Sequence, residues 1–339
     1  MRSHISGGIL ATLDRRPWRC AFEGPERMRV LITGGAGFIG SNLVREWLRR
    51  GADVTVFDNL ASMCSLRLID DVADDVRFVH GDIRSPEDLG KLPTGPFDRV
   101  YHLAASFANE LSVEYPTVDI RTNAEGTLNV LTHAQRAGCG LFVYTGSSSS
   151  YGDAPVPMRE DGPTRPHTPY AHSKQLGESH VLASNLPHVV FRLFNVYGPG
   201  DTPGRYRNAI PNMFHALDDE GARLRVFGEH ATRDFTYVDD AVRFLAAAER
   251  ARGELVNLAS GVETRMVDLV PRILSLRNRP SNNVGLEPAR PWDRVTRRCA
   301  DVTKLRALYG EVPSTPLADG LERTHGWLLA NRYLREGSA

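Results

Sequence analysis

Met28-Arg-Val-Leu-Ile-Thr33-Gly34-Gly-Ala-Gly37-Phe38-Ile39-Gly40 decides how this chain folds. Its first half is a short apolar run that reads as a buried strand. Its second half is glycine-rich and opens onto Leu43, Val44, Trp47 and Leu48, spaced as one face of a helix. A strand that turns through glycines into a helix amino terminus gathers backbone N–H groups and the positive end of a helix dipole. It also lacks the Cβ atoms that would keep a pyrophosphate at a distance. A second strand ends at Asp58, 18 positions after Gly40. A carboxylate there suits a ribose diol and repels a 2′-phosphate, and no arginine follows it immediately, so the pattern predicts NAD rather than NADP.

Outward from this unit the chain alternates. Strand-like runs at 76–79, 98–103, 140–145 and 188–193 are separated by helical stretches, including 123–137 with Leu128, Val130, Leu131 and Ala134 in phase. This βα alternation predicts an α/β fold, a Rossmann-type doubly wound parallel sheet over residues 28–195. Beyond residue 196 the pattern loosens into Gly/Pro-rich loops and short elements, which predicts a smaller carboxy-terminal substrate lobe over 196–233 and 251–330. Residues 234–250 are expected to return to the first lobe. Residues 1–27 precede the first strand and are broken by Asp14-Arg15-Arg16-Pro17, so they read as a flexible leader rather than a secretory signal.

Composition narrows the function classes. Lysine plus arginine number 41, as do aspartate plus glutamate, so the chain of 339 residues carries no net charge and no bulk electrostatic case for nucleic acid or an acidic membrane. The four cysteines, Cys20, Cys64, Cys139 and Cys299, have neither CxxC nor Cys/His ligand spacing. They argue against a zinc site or a disulfide framework, and the expectation is a cytoplasmic protein that works on small molecules, with no metal.

Tyr170-Ala-His-Ser-Lys174 supplies the chemistry. Residues four apart share a helix face, and a cation beside a phenol favours phenolate. A tyrosine titrates near pKa ~10, and lowering that by ~3 takes about 4 kcal/mol of differential stabilisation. The spacing alone also occurs on ordinary amphipathic helices. Set beside Thr33-Gly34-x-x-Gly37-x-x-Gly40, Asp58-Asn59-Leu60, Gly81-Asp82-Ile83 and His102-Leu103-Ala104-Ala105, it closely resembles the extended short-chain dehydrogenase/reductase family. Ser147 to Gly152, Arg192-Leu-Phe-Asn195-Val-Tyr-Gly-Pro199, Arg233-Asp-Phe-Thr-Tyr237-Val-Asp-Asp240 and Arg290-Pro-Trp-Asp293 resemble landmarks of its nucleotide-sugar epimerase/dehydratase branch. The likeness covers about residues 28–325 with the motifs in family order.

The resemblance implies residue roles. Ser147, Tyr170 and Lys174 would be catalytic: Ser147 hydrogen-bonds the reacting sugar oxygen, Tyr170 takes its proton, and Lys174 binds the nicotinamide ribose and holds the phenol acidic. NAD would be held by Gly34, Gly37, Phe38, Ile39, Gly40, Asp58, Asn59, Leu60, Asp82, Ile83, Leu103, Ala104, Ala105 and Asn123, with Tyr170 and Lys174. Ser147, Asn195, Arg233, Arg290 and Asp293 would contact a nucleotide-sugar substrate. A homodimer through helices near 112–137 and 170–185 is implied as well.

The loop after Ser147 chooses among reactions. Dehydratases and decarboxylases of this branch place a carboxylate just after the catalytic hydroxyl, and here those positions are Ser148 and Ser149. A serine does not replace a carboxylate acid/base, so oxidation at C4 followed by return of hydride to the opposite face, a 4-epimerase reaction like that on UDP-glucose or UDP-glucuronate, is the expectation. The rivals are a 4-ketoreductase, dehydratase or decarboxylase of the same fold and, in another class, a non-catalytic dinucleotide sensor or scaffold. Phe107 falls where glucose epimerases carry a lysine, and the resemblance leaves Arg297 or Arg298 either facing the hexose, where a charge would favour an anionic sugar such as a glucuronate, or facing solvent.

Overall fold

The computed structural model describes residues 27–61, 66–219, 221–280 and 282–332. The expected leader, apart from Arg27, lies outside the described residues, as do Cys20 and Cys64. Seven strands, β1 (Arg29–Thr33), β2 (Asp53–Asp58), β3 (Arg77–His80), β4 (Arg99–His102), β5 (Phe142–Ser147), β6 (His188–Leu193) and β11 (Leu255–Leu258), form one sheet in the order β11-β6-β5-β4-β1-β2-β3. Every pairing in it is parallel. The chain winds outward from β1 to β3, then crosses to β4 on the other side of β1. The strand order therefore reverses between β1 and β4, and a crevice opens at their carboxyl ends.

The strands are apolar on both faces because helices cover both. Val30 and Ile32 of β1 point into a core shared with α1 (Phe38–Arg49), α8 (Val238–Ala246) and α10 (Thr303–Tyr309), where Leu43, Val44, Trp47, Ala241, Leu245 and Leu305 are buried together. Leu31 points to the opposite face, where Leu89 of α2 (Pro86–Leu89), Val130 and Leu131 of α5 (Thr127–Ala137) and Val181 of α6 (Pro169–Leu182) pack with Phe142 and Val190. This alternation is the period of two that a strand imposes.

A third core fills the second lobe. It joins α7 (Ala209–Ala216), α9 (Met266–Leu276) and α11 (Leu317–Ala330) to the small pairs β7 (Val196–Tyr197) with β10 (Thr236–Tyr237) and β8 (Leu224–Phe227) with β13 (Val284–Glu287). A further pair, β9 (Thr232–Asp234) with β12 (Glu263–Arg265), lies between the lobes' motifs and carries Arg233.

The expected lobe boundary at residue 251 needs correcting. Leu255–Leu258 pairs with β6 and is the seventh strand of the main sheet. Its Val256 and Leu258 are fully buried, and without it β6 would present an open, unpaired edge.

Candidate active site

The glycine turn forms as its sequence demands. Gly34 has φ +71, its N–H donates to the Phe57 carbonyl at 2.9 Å, and Gly37 caps α1. A Cβ on Gly40 would lie 2.1 Å from the Gly34 oxygen, and one on Gly34 would lie 2.6 Å from the Ala104 nitrogen. The turn, the first turn of α1 with Phe38 and Ile39, and the Leu103-Ala104-Ala105 segment after β4 are thus drawn to backbone contact. Side chains at those two glycines would fill a cradle of amides that fits the pyrophosphate of NAD.

Asp58 ends β2 and is buried. Its Oδ2 accepts from the Ala36 N–H at 3.0 Å and its Oδ1 from the Leu60 N–H at 2.8 Å, which aims the carboxyl at the cradle. Burial raises its pKa while those two N–H groups oppose the rise. Asn59 donates to Asp82 at 3.0 Å, and Arg84 binds the same carboxylate at 2.6 Å, holding it down at about 2. Asp82 is therefore fixed and ionised beside Ile83.

Asn123 stands differently from its expected role as a cofactor contact. Its Oδ1 accepts from the Ser106 N–H at 2.9 Å, and its amide donates to the Ser106 carbonyl at 2.8 Å and to the Ser173 hydroxyl at 3.0 Å. Both donors are spent on the protein, so it pins the loop after Ala105 to α6 instead of offering them to a ligand. It lies in a π-helical stretch, Ile120–Gly126, of the kind that re-aims side chains near functional sites.

Ser147 is the last residue of β5 and accepts a hydrogen bond from the Ser149 N–H at 3.1 Å. Thr168 caps α6, accepting from the Ala171 N–H at 3.2 Å, and Pro169 occupies the first turn; together they fix where the helix starts. Tyr170 falls in that first turn, where the neighbouring Ser147 hydroxyl favours the ionised form of its phenol. Lys174, one turn on, is buried with its Nζ 4.5 Å from the centre of the Tyr144 ring. The Tyr144 hydroxyl donates to the Lys174 carbonyl at 3.1 Å.

Electrostatics departs from the sequence expectation. Burial pulls Lys174 down to about 7, against the opposing charges of Glu178 and Asp119. Burial also raises Tyr170, as does the charge of Asp119, while the neighbouring Ser147 hydroxyl and the charge of Arg298 work to lower it. With the protein's own groups alone, the lysine loses its proton before the phenol does and does not hold the phenol acidic. The cation acting on Tyr170 is Arg298.

Two polar side chains at the site had no sequence signal or an ambiguous one. Asp119 ends α4 (Pro116–Asp119), fully buried, with Oδ1 accepting from the Ser106 hydroxyl and Oδ2 without a partner. Burial pushes it up to about 6, and its charge reaches both Lys174 and Tyr170. Arg297 is exposed and bound to Glu263 at 2.6 Å, whereas Arg298 is buried on the tyrosine's side.

The expected substrate residues gather beyond the tyrosine. Arg233 bonds Asp293 at 2.8 Å and the Thr232 carbonyl at 2.8 Å, so arginine and aspartate form one unit. The Asn195 carbonyl oxygen Oδ1 is buried with no protein partner. Arg290 lies 4.4 Å from the Phe227 ring centre, and Arg290, Asp293, Phe227 and Val295 line a cavity of about 210 Å³. Among the described residues there is no cluster of potential metal ligands, and no helix is long and apolar enough to cross a membrane.

The site has relatives. Residues 30–259 match the pattern of the NAD dependent epimerase/dehydratase family. A dTDP-glucose 4,6-dehydratase of Streptomyces niveus is 34% identical over 322 residues, covering 90% of this chain and 94% of that one. A UDP-N-acetyl-alpha-D-glucosaminuronate decarboxylase of Bacillus cytotoxicus is 32% identical, covering 89% and 98%. The structure of an epimerase from Methanothermobacter thermautotrophicus superposes with a TM-score of 0.83 at 38% identity, covering 91% of this chain and 95% of that one. On the glycine cradle, the Asp58 strand end and these matches, the chain belongs to the NAD-dependent epimerase/dehydratase family of nucleotide-sugar enzymes.

Proposed function

We propose that the protein is a nucleotide-sugar 4-epimerase. The serine loop carries this reading. Ser147, Ser148, Ser149 and Ser150 are all buried at the end of β5, and no carboxylate stands among them. Elimination of water needs an acid/base at the ring, and a serine hydroxyl with a pKa far above neutrality does not provide one. The carboxylate whose charge reaches Tyr170, Asp119, comes from α4 and is tied to Ser106.

In this reading Ser147 and Tyr170, which stand next to each other, bracket the C4 hydroxyl, and Tyr170 receives its proton. The Gly34–Gly40 cradle and Asp58 would hold NAD, which would supply a hydride acceptor and donor for C4. The amide N–H groups of Asn195 and the Arg233–Asp293 unit orient the nucleotide diphosphate. The ketone then presents its other face, and Tyr170 gives the proton back. We also assign a homodimer. Val113 of α3 (Asn109–Glu114), then Tyr115, Val118, Ile120 and Leu128 on the helical run that follows it, and Leu176 and Leu182 on α6, are exposed large apolar side chains that a second copy would cover.

The test is incubation of the NAD-loaded protein with a panel of nucleotide sugars. An epimerase yields an isomer of unchanged mass, accumulates no NADH and needs no added reductant. A product lighter by water or carbon dioxide, or stoichiometric use of NADH, would overturn the reading, and binding without turnover on any sugar would favour a sensor.

A further inference from the structure

The other well-buried arginines at and around the cleft are paired. Arg192 holds Glu178 at 2.6 Å, and Arg233 holds Asp293 at 2.8 Å. Arg298 is 8% exposed, its Nε is buried without a partner, and among the described residues its side chain makes no hydrogen bond or ion pair. Nearby Asp293 is spent, on Arg233 through Oδ2 and on the Val295 N–H through Oδ1. The backbone fixes where Arg298 points. Its N–H faces Thr232 of β9, Ala300 bridges to Met158, and Arg297 turns outward to Glu263. A guanidinium left unpaired in a buried site is costly, and the protein builds the anion for it nowhere in the described chain.

We propose that Arg298 receives a carboxylate on the sugar ring, so that the substrate is a nucleotide-linked hexuronate. This deepens the 4-epimerase reading and rests on it only for the position of the ring. Arg298 and Tyr170 are close enough to feel each other's charge, and Tyr170 neighbours Ser147, where the C4 oxygen would react. In a hexuronate the carboxylate is carried on C5, the carbon next to C4. The diphosphate is attached at C1, across the ring. A cation beside the tyrosine is therefore within reach of that carboxylate. Burial and the neighbouring Arg233 pull Arg298 down to about 10, which still leaves it charged at neutral pH and in need of an anion. The planar fork of arginine matches a carboxylate with two parallel hydrogen bonds. Oxidation at C4 makes the ring carboxylate a β-keto acid, prone to lose carbon dioxide. An ion pair stabilises the carboxylate against that loss, which suits an enzyme that must return hydride to an intact intermediate.

The test is binding, so that it does not depend on which reaction follows. NAD-loaded Tyr170→Phe protein, used to stop turnover, is titrated calorimetrically with UDP-glucuronate and UDP-glucose, and with the corresponding dTDP sugars. The same titrations are run with Arg298→Met and Arg298→Lys added, and each variant's fold is checked by circular dichroism. The parent is expected to bind the uronate on the order of 100-fold more tightly than its neutral partner. Arg298→Met erases that preference while leaving the neutral sugar's affinity nearly unchanged, and Arg298→Lys restores part of it. Equal affinity of the parent for both sugars overturns the proposal, and that comparison stands even if Arg298→Met fails to fold. Equal weakening of both sugars by Arg298→Met also overturns it and assigns the arginine to the diphosphate. Release of carbon dioxide from the uronate by the wild-type protein would sink the epimerase reading while leaving Arg298 as the carboxylate receptor.

Discussion

Replacing Lys174 with methionine should stabilise the fold at neutral pH while abolishing turnover. Lys174 is 4% exposed and its pKa falls from an ordinary 10.5 to about 7, chiefly through burial. At about 1.4 kcal/mol per factor of ten in proton affinity, carrying that charge in the fold costs about 5 kcal/mol at low pH. Its contact with the Tyr144 ring at 4.5 Å returns about 1–2 kcal/mol of this. A methionine of similar length fills the space without charge, so the net gain near neutrality is about 3 kcal/mol, or about 5 °C in Tm for a chain of this size. The sign with pH follows from linkage. A lysine whose folded pKa lies below its unfolded one imposes its full penalty below about 7 and none above 10.5. The variant's advantage should therefore be largest at about pH 6 and roughly halved by about pH 9. Thermal melts of both proteins without added NAD, across that range, measure it. A variant that melts below wild type, or an advantage that grows with pH, would refute the claim that Lys174 is a strained, desolvated cation.

Three other outcomes follow from the geometry. Tyr170→Phe should lower kcat by about 10²–10⁴-fold with NAD and sugar binding kept, since the ring stays and only the proton acceptor goes; steady-state kinetics beside calorimetry would expose near-normal turnover as contrary evidence. Asp58→Ala should weaken NAD by about 10–100-fold and remove the discrimination against NADP, and a wild type that binds both cofactors equally would contradict the role given to that carboxylate. Ile120→Glu with Leu176→Glu, both at exposed apolar positions, should convert a homodimer to monomer in light scattering; a wild type that is monomeric at micromolar concentration would end the dimer proposal.

The parts of this site that are local in sequence are readable from it. The glycine turn and Asp58 announce themselves because a strand, a turn and a helix start follow within a few residues, and the Gly37 N–H to Gly34 carbonyl and Leu60 N–H to Asp58 bonds that shape them are local. Tyr170 and Lys174 are legible for the same reason, since one helical turn fixes their relation. Leu255–Leu258 is not placed by its sequence, because a four-residue run with three apolar side chains fits either lobe and only pairing with β6 decides. Asn123 opens a helical run that the sequence shows, yet its role as a clamp on Ser106 depends on contacts made after folding. Asp119 carries no sequence mark at all; its effect on Lys174 arises from a π-helical stretch that brings α4 against α6. Arg297 and Arg298 are adjacent and identical in type, so only the backbone register around Thr232 and Ala300 tells which one faces the tyrosine.

The measurement that tests the central claim most directly follows one hydrogen. A nucleotide hexuronate or hexose deuterated at C4 is incubated with the NAD-loaded protein, and the inverted product is examined by NMR and mass spectrometry. With no carboxylate on the Ser147–Ser150 loop to drive elimination, deuterium should remain at C4 of a product of unchanged mass. Deuterium found at C6 with loss of water, or washed out into solvent or free NADH, would contradict the account of this protein as a 4-epimerase.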